Sequence, residues 1–352
     1  MLSYYNKIVQ DDMKDIFDEG IFFEKLENKF VLITGATGML ATYIVYFLHY
    51  LNISKKKNIK IYALVRNSKK AEKIFNNLLK DKNFNIIEQD IEKEINISQK
   101  IDYIFHLASS ANPKTILEDP VGIIKANTIG TINVFEFARL NNSKVFFSST
   151  REIYGSIKEK EYISEEEMGI LKCLERRACY PESKRIAETI CNSYYLQYNI
   201  DYQIARIAHV YGPGMNIEND GRIMSDIMSD VINNKNIILK SDGSALRAFC
   251  YISDAIRGIF TIVLNGEKNS VYNLSNEEEE ISIKELSELF IKLFPKKKLE
   301  VEYNIPNSNL EVYTNYKRNG LDNKKLYNLG WKIKIKLKEG IKKTILSFND
   351  YE

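Results

Sequence analysis

The chain has 352 residues, of which 44% are hydrophobic and 28% charged, and its formal net charge is +3. This composition is typical of a globular protein with one large and one smaller domain, and the nearly balanced charge gives no reason to expect a nucleic-acid partner. The four cysteines form no CxxC pair and there are only three histidines, so neither a metal site nor a disulfide framework is expected. The start lacks a signal-peptide pattern and no apolar stretch approaches about 20 residues, so we expect a cytoplasmic protein without a membrane partner.

From residue 29 onward, short apolar runs alternate with helical runs. Near-continuous apolar strands that alternate with helices predict an α/β fold, in which a doubly wound parallel sheet of the Rossmann type is covered on both faces. The predicted strands are Lys29–Thr34, Ile59–Arg66, Asn85–Ile87, Ile101–Leu107, Lys144–Ser149 and Tyr202–Arg206. The predicted helices between them are Met39–Leu51, Ser68–Leu79, Pro120–Leu140 and Tyr180–Tyr198.

This pattern divides the chain into three parts. Residues 1–28 are acidic and amphipathic, and they are predicted to form an N-terminal helical extension. Residues 29–206 are predicted to form a dinucleotide-binding domain. Residues 207–352 are more irregular, with helices predicted at Ser282–Phe294 and Leu337–Asn349. We expect them to form mostly a smaller C-terminal substrate domain at the carboxyl edge of the sheet, with some segments returning to that sheet.

A glycine turn between the first strand and the first helix predicts a dinucleotide site. Gly35 is expected to make the tight turn, and Gly38 to let a pyrophosphate approach the helix N-terminus. Thr37 and Met39 lie in the same turn and are included among the predicted cofactor residues.

The end of the second strand bears on the choice of cofactor. NAD sites usually place Asp or Glu there, but this chain has Arg66, which suits a 2′-phosphate unless it is simply solvated. NADP is therefore an open alternative to NAD, which remains the expected cofactor. Asp90 and Ile91 are predicted to cover the adenine, although Asp90 could equally be an ordinary exposed carboxylate.

A second motif predicts acid–base chemistry. Tyr180 and Lys184 are four residues apart, on one face of the long helix that follows the fifth strand, and that strand ends in Ser148-Ser149-Thr150. The lysine charge is expected to lower the tyrosine pKa so that the phenolate takes a proton from a substrate hydroxyl, with the Thr150 hydroxyl holding the same oxygen. The alternative is a buried core tyrosine.

With these motifs the chain resembles the extended short-chain dehydrogenases, a family of NAD(P)-dependent enzymes that includes nucleotide-sugar epimerases, dehydratases and decarboxylases. The resemblance covers roughly residues 29–340 and implies a nucleoside-diphosphate sugar as substrate. Its motifs are His106–Ala111, Asn127–Thr131, Ser149–Gly155, Tyr180–Lys184, Ala205–Arg206, Tyr211–Pro213, Asp220–Arg222, Arg247–Phe249 and Leu329–Trp331.

The resemblance also implies residue roles on the cofactor side. Lys184 would contact the nicotinamide ribose as well as assist the tyrosine. Further cofactor contacts are expected from Leu107, Ala108, Ser109, Asn127 and Ser148.

Within the family, the chain looks most like the members that decarboxylate UDP-glucuronate. Arg247 would then bind the substrate diphosphate, unless it forms a salt bridge at a domain interface, and Arg222 and Arg318 would also contact the substrate. His209 stands where the family has asparagine, so a packed histidine and a substrate ligand both remain open. This likeness rests on Arg177–Tyr180, Asp220–Arg222 and Leu246–Phe249.

Arg151 departs from the family pattern next to Thr150. The family's dehydratases have an aspartate there, which helps to protonate a departing hydroxyl, whereas arginine has a pKa above about 12 and cannot supply that proton. A guanidinium can instead bind a carboxylate bidentately, which favours a uronic acid or a purely epimerising reaction. The alternative is that Arg151 pairs with its neighbour Glu152 or points away from the substrate.

The expected reaction begins with oxidation of the sugar at carbon 4, with Tyr180 as base. Decarboxylation of UDP-glucuronate or an epimerisation follows as the leading interpretation, with Glu152 as a candidate acid–base group at carbon 5. A 4,6-dehydratase, an epimerase of a nucleotide-linked alditol and, from another class, a non-catalytic dinucleotide-binding regulator remain alternatives.

A homodimer is also expected. The two long helices Pro120–Leu140 and Tyr180–Tyr198 carry apolar residues around much of their circumference, and the family resemblance implies that they pair with a second copy. The alternative is that the N-terminal extension or the small domain covers them.

Overall fold

The computed structural model of the chain describes residues 2–18, 21–109, 111–158, 160–218, 220–305 and 319–348. Seven of the strands in these ranges form one central sheet, and the others pair in twos. In chain order the strands are β1 (Phe30–Thr34), β2 (Lys60–Val65), β3 (Phe84–Glu88), β4 (Tyr103–His106), β5 (Lys144–Thr150), β6 (Tyr162–Ile163), β7 (Tyr202–Ile207), β8 (Val210–Tyr211), β9 (Ile237–Leu239), β10 (Leu246–Ala248), β11 (Cys250–Tyr251), β12 (Ser270–Leu274), β13 (Glu280–Ser282), β14 (Val301–Tyr303) and β15 (Gly320–Leu321).

The helices follow the alternation that the sequence predicts as far as β7, and they become shorter and less regular after it. No helix in the described ranges is both long enough and apolar enough to span a membrane. In chain order the helices are α1 (Lys7–Phe17), α2 (Met39–Lys55), α3 (Ser68–Ile74), α4 (Pro113–Glu118), α5 (Pro120–Asn141), α6 (Cys179–Tyr198), α7 (Ile223–Ile232), α8 (Ile252–Asn265), α9 (Ile283–Leu293), α10 (Lys324–Tyr327) and α11 (Leu337–Phe348).

The central sheet is parallel, with the strand order β12-β7-β5-β4-β1-β2-β3. Alternate side chains of β1 enter two different cores. Val31 and Ile33 pack with residues of α2 and α8, whereas Leu32 packs with residues of α5 and α6. The predicted doubly wound α/β fold is therefore confirmed. The order reverses between β1 and β4, and ligands of such sheets bind at the carboxyl ends of the strands beside that point.

The part of the chain after β7 is only partly separate from this sheet. The strand β12 adds to the edge of the sheet beside β7, and α8 packs in the same core as α2. The short pairs β10–β13 and β9–β14 lie outside the sheet. The division of the chain at residues 28 and 206 stays a prediction.

Several elements differ from the sequence-based expectation, among them α4, α7, α8 and α10, which have no counterpart among the predicted helices. The sequence predicts a helix to Leu79, whereas α3 ends at Ile74 and a 3-10 turn follows over Asn76–Leu78. The backbone tightens there because the Phe75 ring is buried against Phe84, with ring centroids 5.2 Å apart. The seventh strand, β12, has no counterpart in the predicted set, and Asn349 of the predicted last helix lies outside the described residues.

The N-terminal helix α1 is attached to three other elements through one buried carboxylate. Asp12 is fully buried, and it accepts hydrogen bonds from the hydroxyls of Tyr43 and Tyr251 at 3.0 and 2.9 Å. Lys343 Nζ of α11 lies 2.6 Å from the other carboxylate oxygen. Burial raises the pKa of Asp12 to about 6, although the Lys343 charge opposes this shift. Asp12 thus joins both ends of the chain to α2 and to the start of α8.

Asp12→Ala is expected to lower the free energy of unfolding by about 3–5 kcal/mol, because it removes the partner of a buried ammonium and the acceptor of two buried hydroxyls. Asp11→Ala is the matched control. Asp11 forms an exposed pair with Lys7 in the same helix, so its loss should cost less than about 0.5 kcal/mol. The measurement is urea denaturation followed by circular dichroism. Equal costs for the two substitutions would contradict the role of Asp12.

Candidate active site

The glycine turn between β1 and α2 lies against the loop that follows β4. Gly35 has φ +65°, and a Cβ at this position would lie 2.8 Å from the Cα of Ala108. Gly38 is the N-cap of α2, and its N–H donates to the Gly35 carbonyl at 2.9 Å. A side chain at position 35 would push the two loops apart, so this close approach requires glycine. Thr37 and Met39, the other predicted residues of the turn, are partly buried.

Behind the turn, a chain of hydrogen bonds runs through a buried histidine. Thr34 Oγ1 accepts from the backbone N–H groups of Leu107 and Ala108, both at 3.2 Å. It also lies 2.8 Å from His106 Nδ1, and His106 Nε2 lies 3.2 Å from Thr131 Oγ1. Burial lowers the pKa of His106 to about 3, so the ring is neutral. Thr34 therefore donates to Nδ1, and Nε2–H donates to Thr131.

Two buried polar atoms at this site have no hydrogen-bond partner among the described residues. They are Ser109 Oγ, in the loop after β4, and Asn127 Oδ1, in α5. The amide nitrogen of Asn127 donates to Ser183 Oγ at 2.9 Å, which fixes the side chain against α6. Buried polar atoms of this kind normally have partners. Together with the glycine turn, they fit the polar surface of a bound dinucleotide.

Tyr180, Lys184 and Thr150 meet at the carboxyl end of β5. Thr150 is the last residue of β5 and Tyr180 lies in the first turn of α6; both are buried, and a hydrogen bond joins their side chains. One turn further along α6, Lys184 Nζ donates to the Ser148 carbonyl at 2.7 Å and lies 4.5 Å from the centroid of the Phe147 ring. The structure thus brings these predicted catalytic residues together.

Burial dominates the titration of this group. It lowers the pKa of Lys184 to about 7. It also raises the pKa of the Tyr180 phenol, as does the nearby charge of Glu152, while the hydrogen bond with Thr150 lowers it. The expectation from the spacing, that the lysine charge leaves the tyrosine with a lowered pKa, is therefore wrong for the protein by itself. Burial of the phenol outweighs the groups that favour the phenolate.

Arg151 and Glu152 follow Thr150 in a 3-10 turn, and their side chains bond to different parts of the chain. Arg151 Nη2 donates to the backbone carbonyl of Asn319 at 3.1 Å. The Glu152 carboxylate lies 3.4 Å from Arg177 Nη2, and both of these side chains are about half exposed. Arg151 is thus held beside the start of β15, while Glu152 is paired with Arg177 in the segment just before α6.

Asp220 joins the loop after β4 to the start of α7. It is buried, and it accepts from Asn112 Nδ2 at 2.6 Å, from Ser225 Oγ at 2.8 Å and from the Arg222 guanidinium. The charge of Arg222 is among the groups that lower the pKa of Tyr180. The predicted substrate residue Arg222 is therefore held within electrostatic range of Tyr180.

The other predicted substrate residues are more dispersed. Arg247 lies on β10 and donates to the Leu246 carbonyl at 2.7 Å. His209 has φ +44°, and its ring centroid lies 5.9 Å from that of Phe249. Arg318 lies outside the described residues. These placements leave the roles of Arg247, His209 and Arg318 as predictions.

The residues predicted at the adenosine end lie after β2 and β3. The Arg66 side chain is exposed directly beyond β2. Asp90 is partly buried, and its carboxylate accepts from the backbone N–H of Glu92 at 3.0 Å. Ile91 is buried, and its carbonyl accepts from Asn133 Nδ2 at 2.9 Å. The local bond of Asp90 is that of an ordinary turn residue, whereas Ile91 anchors the third βα unit to α5.

Sequence reasoning gave no role to three residues of this site. Arg177 pairs with Glu152 and lowers the pKa of Tyr180. Asn112 and Asp220 connect the loop after β4 to the start of α7. Arg177 and Asp220 lie within motifs of the family resemblance, which was the available signal. Asn112 gave none, because its partner lies 108 residues further along the chain.

The family model of the NAD dependent epimerase/dehydratase family matches residues 31–275. The chain belongs to this family. It is therefore an enzyme, and its cofactor is NAD. The glycine turn, the Tyr180/Lys184 pair and the central sheet all lie within the matched range.

Similar proteins include UDP-glucuronic acid decarboxylase 6 of Arabidopsis thaliana, which is 31% identical over 91% of this chain and 88% of that protein. UDP-glucuronic acid decarboxylase 1 of Xenopus tropicalis is 30% identical over 93% of this chain and 74% of that protein. Among solved structures, the fold is similar to UDP-glucose 4-epimerase of Thermotoga maritima, with a TM-score of 0.76, 23% identity, and coverage of 91% of this chain and 98% of that one. A dTDP-glucose 4,6-dehydratase of Bacillus anthracis, solved with NAD, has a TM-score of 0.73 at 21% identity, over 91% of this chain and 96% of that one.

Proposed function

We propose that this enzyme decarboxylates UDP-glucuronate through transient oxidation at carbon 4 of the sugar. The observation that carries the proposal is that Tyr180 and Thr150 are both buried at the end of β5, with Lys184 one turn further along α6. The relatives named as UDP-glucuronic acid decarboxylases, at 30–31% identity, support the same substrate.

The first step is the removal of a proton from the carbon-4 hydroxyl by Tyr180, while the hydrogen on carbon 4 leaves as a hydride. Bound NAD supplies the hydride acceptor and later returns the hydride. Thr150 shares a hydrogen bond with the Tyr180 oxygen, which aims that oxygen at the substrate. Lys184 donates to the Ser148 carbonyl and so fixes α6 relative to β5.

The second step uses the ketone formed at carbon 4. A carboxylate on the adjacent carbon is then β to a carbonyl, so the bond between carbons 5 and 6 breaks, carbon dioxide leaves and the electron pair moves to oxygen 4. The Tyr180 and Thr150 hydroxyls can donate to that oxygen. A proton then adds to carbon 5, with Glu152 as the nearest carboxyl group in the turn after β5. Return of the hydride to carbon 4 yields a UDP-linked pentose.

One observation favours a second candidate, epimerisation of a neutral UDP-sugar at carbon 4. Arg151 is bonded to the Asn319 carbonyl, as expected of a residue that stabilises the substrate domain rather than one that reads a sugar carboxylate. In that case the same base and the same ketone serve, but the ketone is reduced from its opposite face and no carbon is lost.

Tyr180→Phe is expected to lower kcat for carbon dioxide release from UDP-glucuronate by about 10²–10⁴-fold, because it removes the general base without removing the ring. The protein should retain its circular dichroism spectrum and its NAD. Tyr198→Phe, on the exposed end of the same helix, is the control and should keep full activity. Near-normal turnover by Tyr180→Phe would exclude the proposed base, and wild-type turnover of neutral UDP-sugars alone would establish the epimerase.

A substitution at Arg151 tests whether this residue recognises a negative charge at carbon 6 of the sugar. If its guanidinium contacts the sugar carboxylate, kcat/KM for UDP-glucuronate should exceed that for UDP-glucose by about 10- to 150-fold, and Arg151→Ser should remove most of this preference. Arg176→Ser, which removes an exposed arginine from the nearby loop, is the matched control. An unchanged preference in Arg151→Ser would show that Arg151 has a structural role and does not contact the sugar carboxylate.

We also propose that the chain forms a homodimer through α5 and α6, which pack side by side. Their outer surfaces carry large apolar side chains that are 40–74% exposed, and burial of such a continuous surface stabilises an interface. Light scattering at micromolar concentration should give twice the chain mass, and a monomeric mass would contradict the proposal. The exposed residues are Val121, Ile124, Ile129, Ile132, Leu140, Ile186 and Leu196.

A further inference from the structure

The loop after β2 lacks the group that an NAD site normally uses for the adenosine ribose. In such sites an Asp or Glu at this point accepts from the ribose hydroxyls. Here the strand ends at Val65 and the next residue is Arg66. An arginine donates hydrogen bonds and accepts none, so it cannot replace that carboxylate.

The neighbouring side-chain oxygens already have protein partners. Asn67 Oδ1 caps α3 by accepting from the backbone N–H of Lys70 at 2.9 Å. Glu88 lies beside Val65 in the register of β2 and β3, and its carboxylate accepts from the Ser68 hydroxyl. Asn67 Oδ1 and one of the two Glu88 carboxylate oxygens thus hold the start of α3.

Arg66 differs from these neighbours. Its side chain is exposed, and it forms no hydrogen bond or ion pair with any residue that the structure describes. Lys69 and Lys70 follow in the first turn of α3, and both are exposed. Residues 66–73 carry four positive charges (Arg66, Lys69, Lys70 and Lys73) and one negative charge (Glu72), so the net charge of this segment is positive, and Glu88 on β3 opposes it.

We infer that Arg66 binds the 2′-phosphate of NADP, so that this chain accepts NADP in addition to NAD. A phosphate dianion is the ligand that best matches an unengaged, planar guanidinium, because it accepts two parallel hydrogen bonds and pairs with the charge. The inference rests on the proposed function only in placing the dinucleotide at the Gly35–Gly38 turn. It concerns the adenosine end of the cofactor and is independent of the sugar chemistry.

The test is direct binding of NAD, NADP, ADP and 2′,5′-ADP to the purified protein after its bound dinucleotide has been removed, measured by calorimetry. Arg66→Ala is expected to weaken NADP and 2′,5′-ADP by about 10- to 100-fold and to leave NAD and ADP within about twofold, since only the first pair carries the 2′-phosphate. Arg66 is exposed, so the substitution should not disturb folding.

Lys73→Ala is the matched control, because it removes an exposed positive charge one turn further along α3. It should change all four affinities by less than about twofold if the effect is a specific contact rather than the general field. Wild-type protein that fails to bind 2′,5′-ADP, or an Arg66→Ala variant that weakens both cofactors equally, would overturn the inference. Turnover of UDP-glucuronate with NAD in that case would leave the proposed function intact.

Discussion

The hydrogen bond from Lys184 to the Ser148 carbonyl is the contact on which the catalytic geometry depends. It joins α6 to β5 at the point where the strand ends, and so it sets Tyr180 against Thr150. The bond is made by an ammonium in a fully buried position, where burial lowers its pKa to about 7. A lysine held in this way destabilises the folded protein, which is typical of residues that are retained for function.

The cofactor side and the substrate side of the candidate site are built differently. On the cofactor side, the run of hydrogen bonds from Thr34 through His106 to Thr131 has only one consistent direction, because the histidine is neutral. The Asp220 carboxylate connects the substrate side to the cofactor side by binding Asn112 on one side and Arg222 on the other. The position of Arg222, one of two arginines whose charge lowers the pKa of Tyr180, therefore depends on a contact between the two parts of the chain.

Much of this site could be predicted from the sequence, because its main features are local. The Gly35–Gly38 turn and the Tyr180/Lys184 spacing depend on neighbouring residues in one strand–turn–helix unit, and the alternation of apolar runs predicts the order of elements around them. The edge strand β12 is different. Its segment Ser270–Leu274 is short and carries Asn273 in its interior, so its pattern alone does not distinguish it from the irregular segments nearby.

Features that depend on distant residues could not be predicted. The partner of Arg151 is Asn319, 168 residues away, and Asp12 is buried only because Tyr251 and Lys343 come from the far end of the chain. The pKa shifts of Tyr180 and Lys184 could not be predicted for the same reason. The spacing of Tyr180 and Lys184 indicates that the two groups are close, but the direction of each pKa shift depends on how much water is excluded around that group.

The raised pKa of Tyr180 bears on how one residue can serve as both base and acid. A buried phenol ionises only when positive charge lies close to it, and it regains a proton once that charge is neutralised. The oxidised nicotinamide is positively charged and the reduced one is neutral. In the proposed mechanism, loss of the nicotinamide's positive charge would make Tyr180 more basic just after it has taken up the carbon-4 proton, and return of the hydride would make it easier for Tyr180 to ionise again. Because Tyr180 is buried, its ionisation responds strongly to a charge placed beside it. The burial that contradicts the simple expectation from the sequence is thus suited to a reaction in which the hydride leaves and comes back.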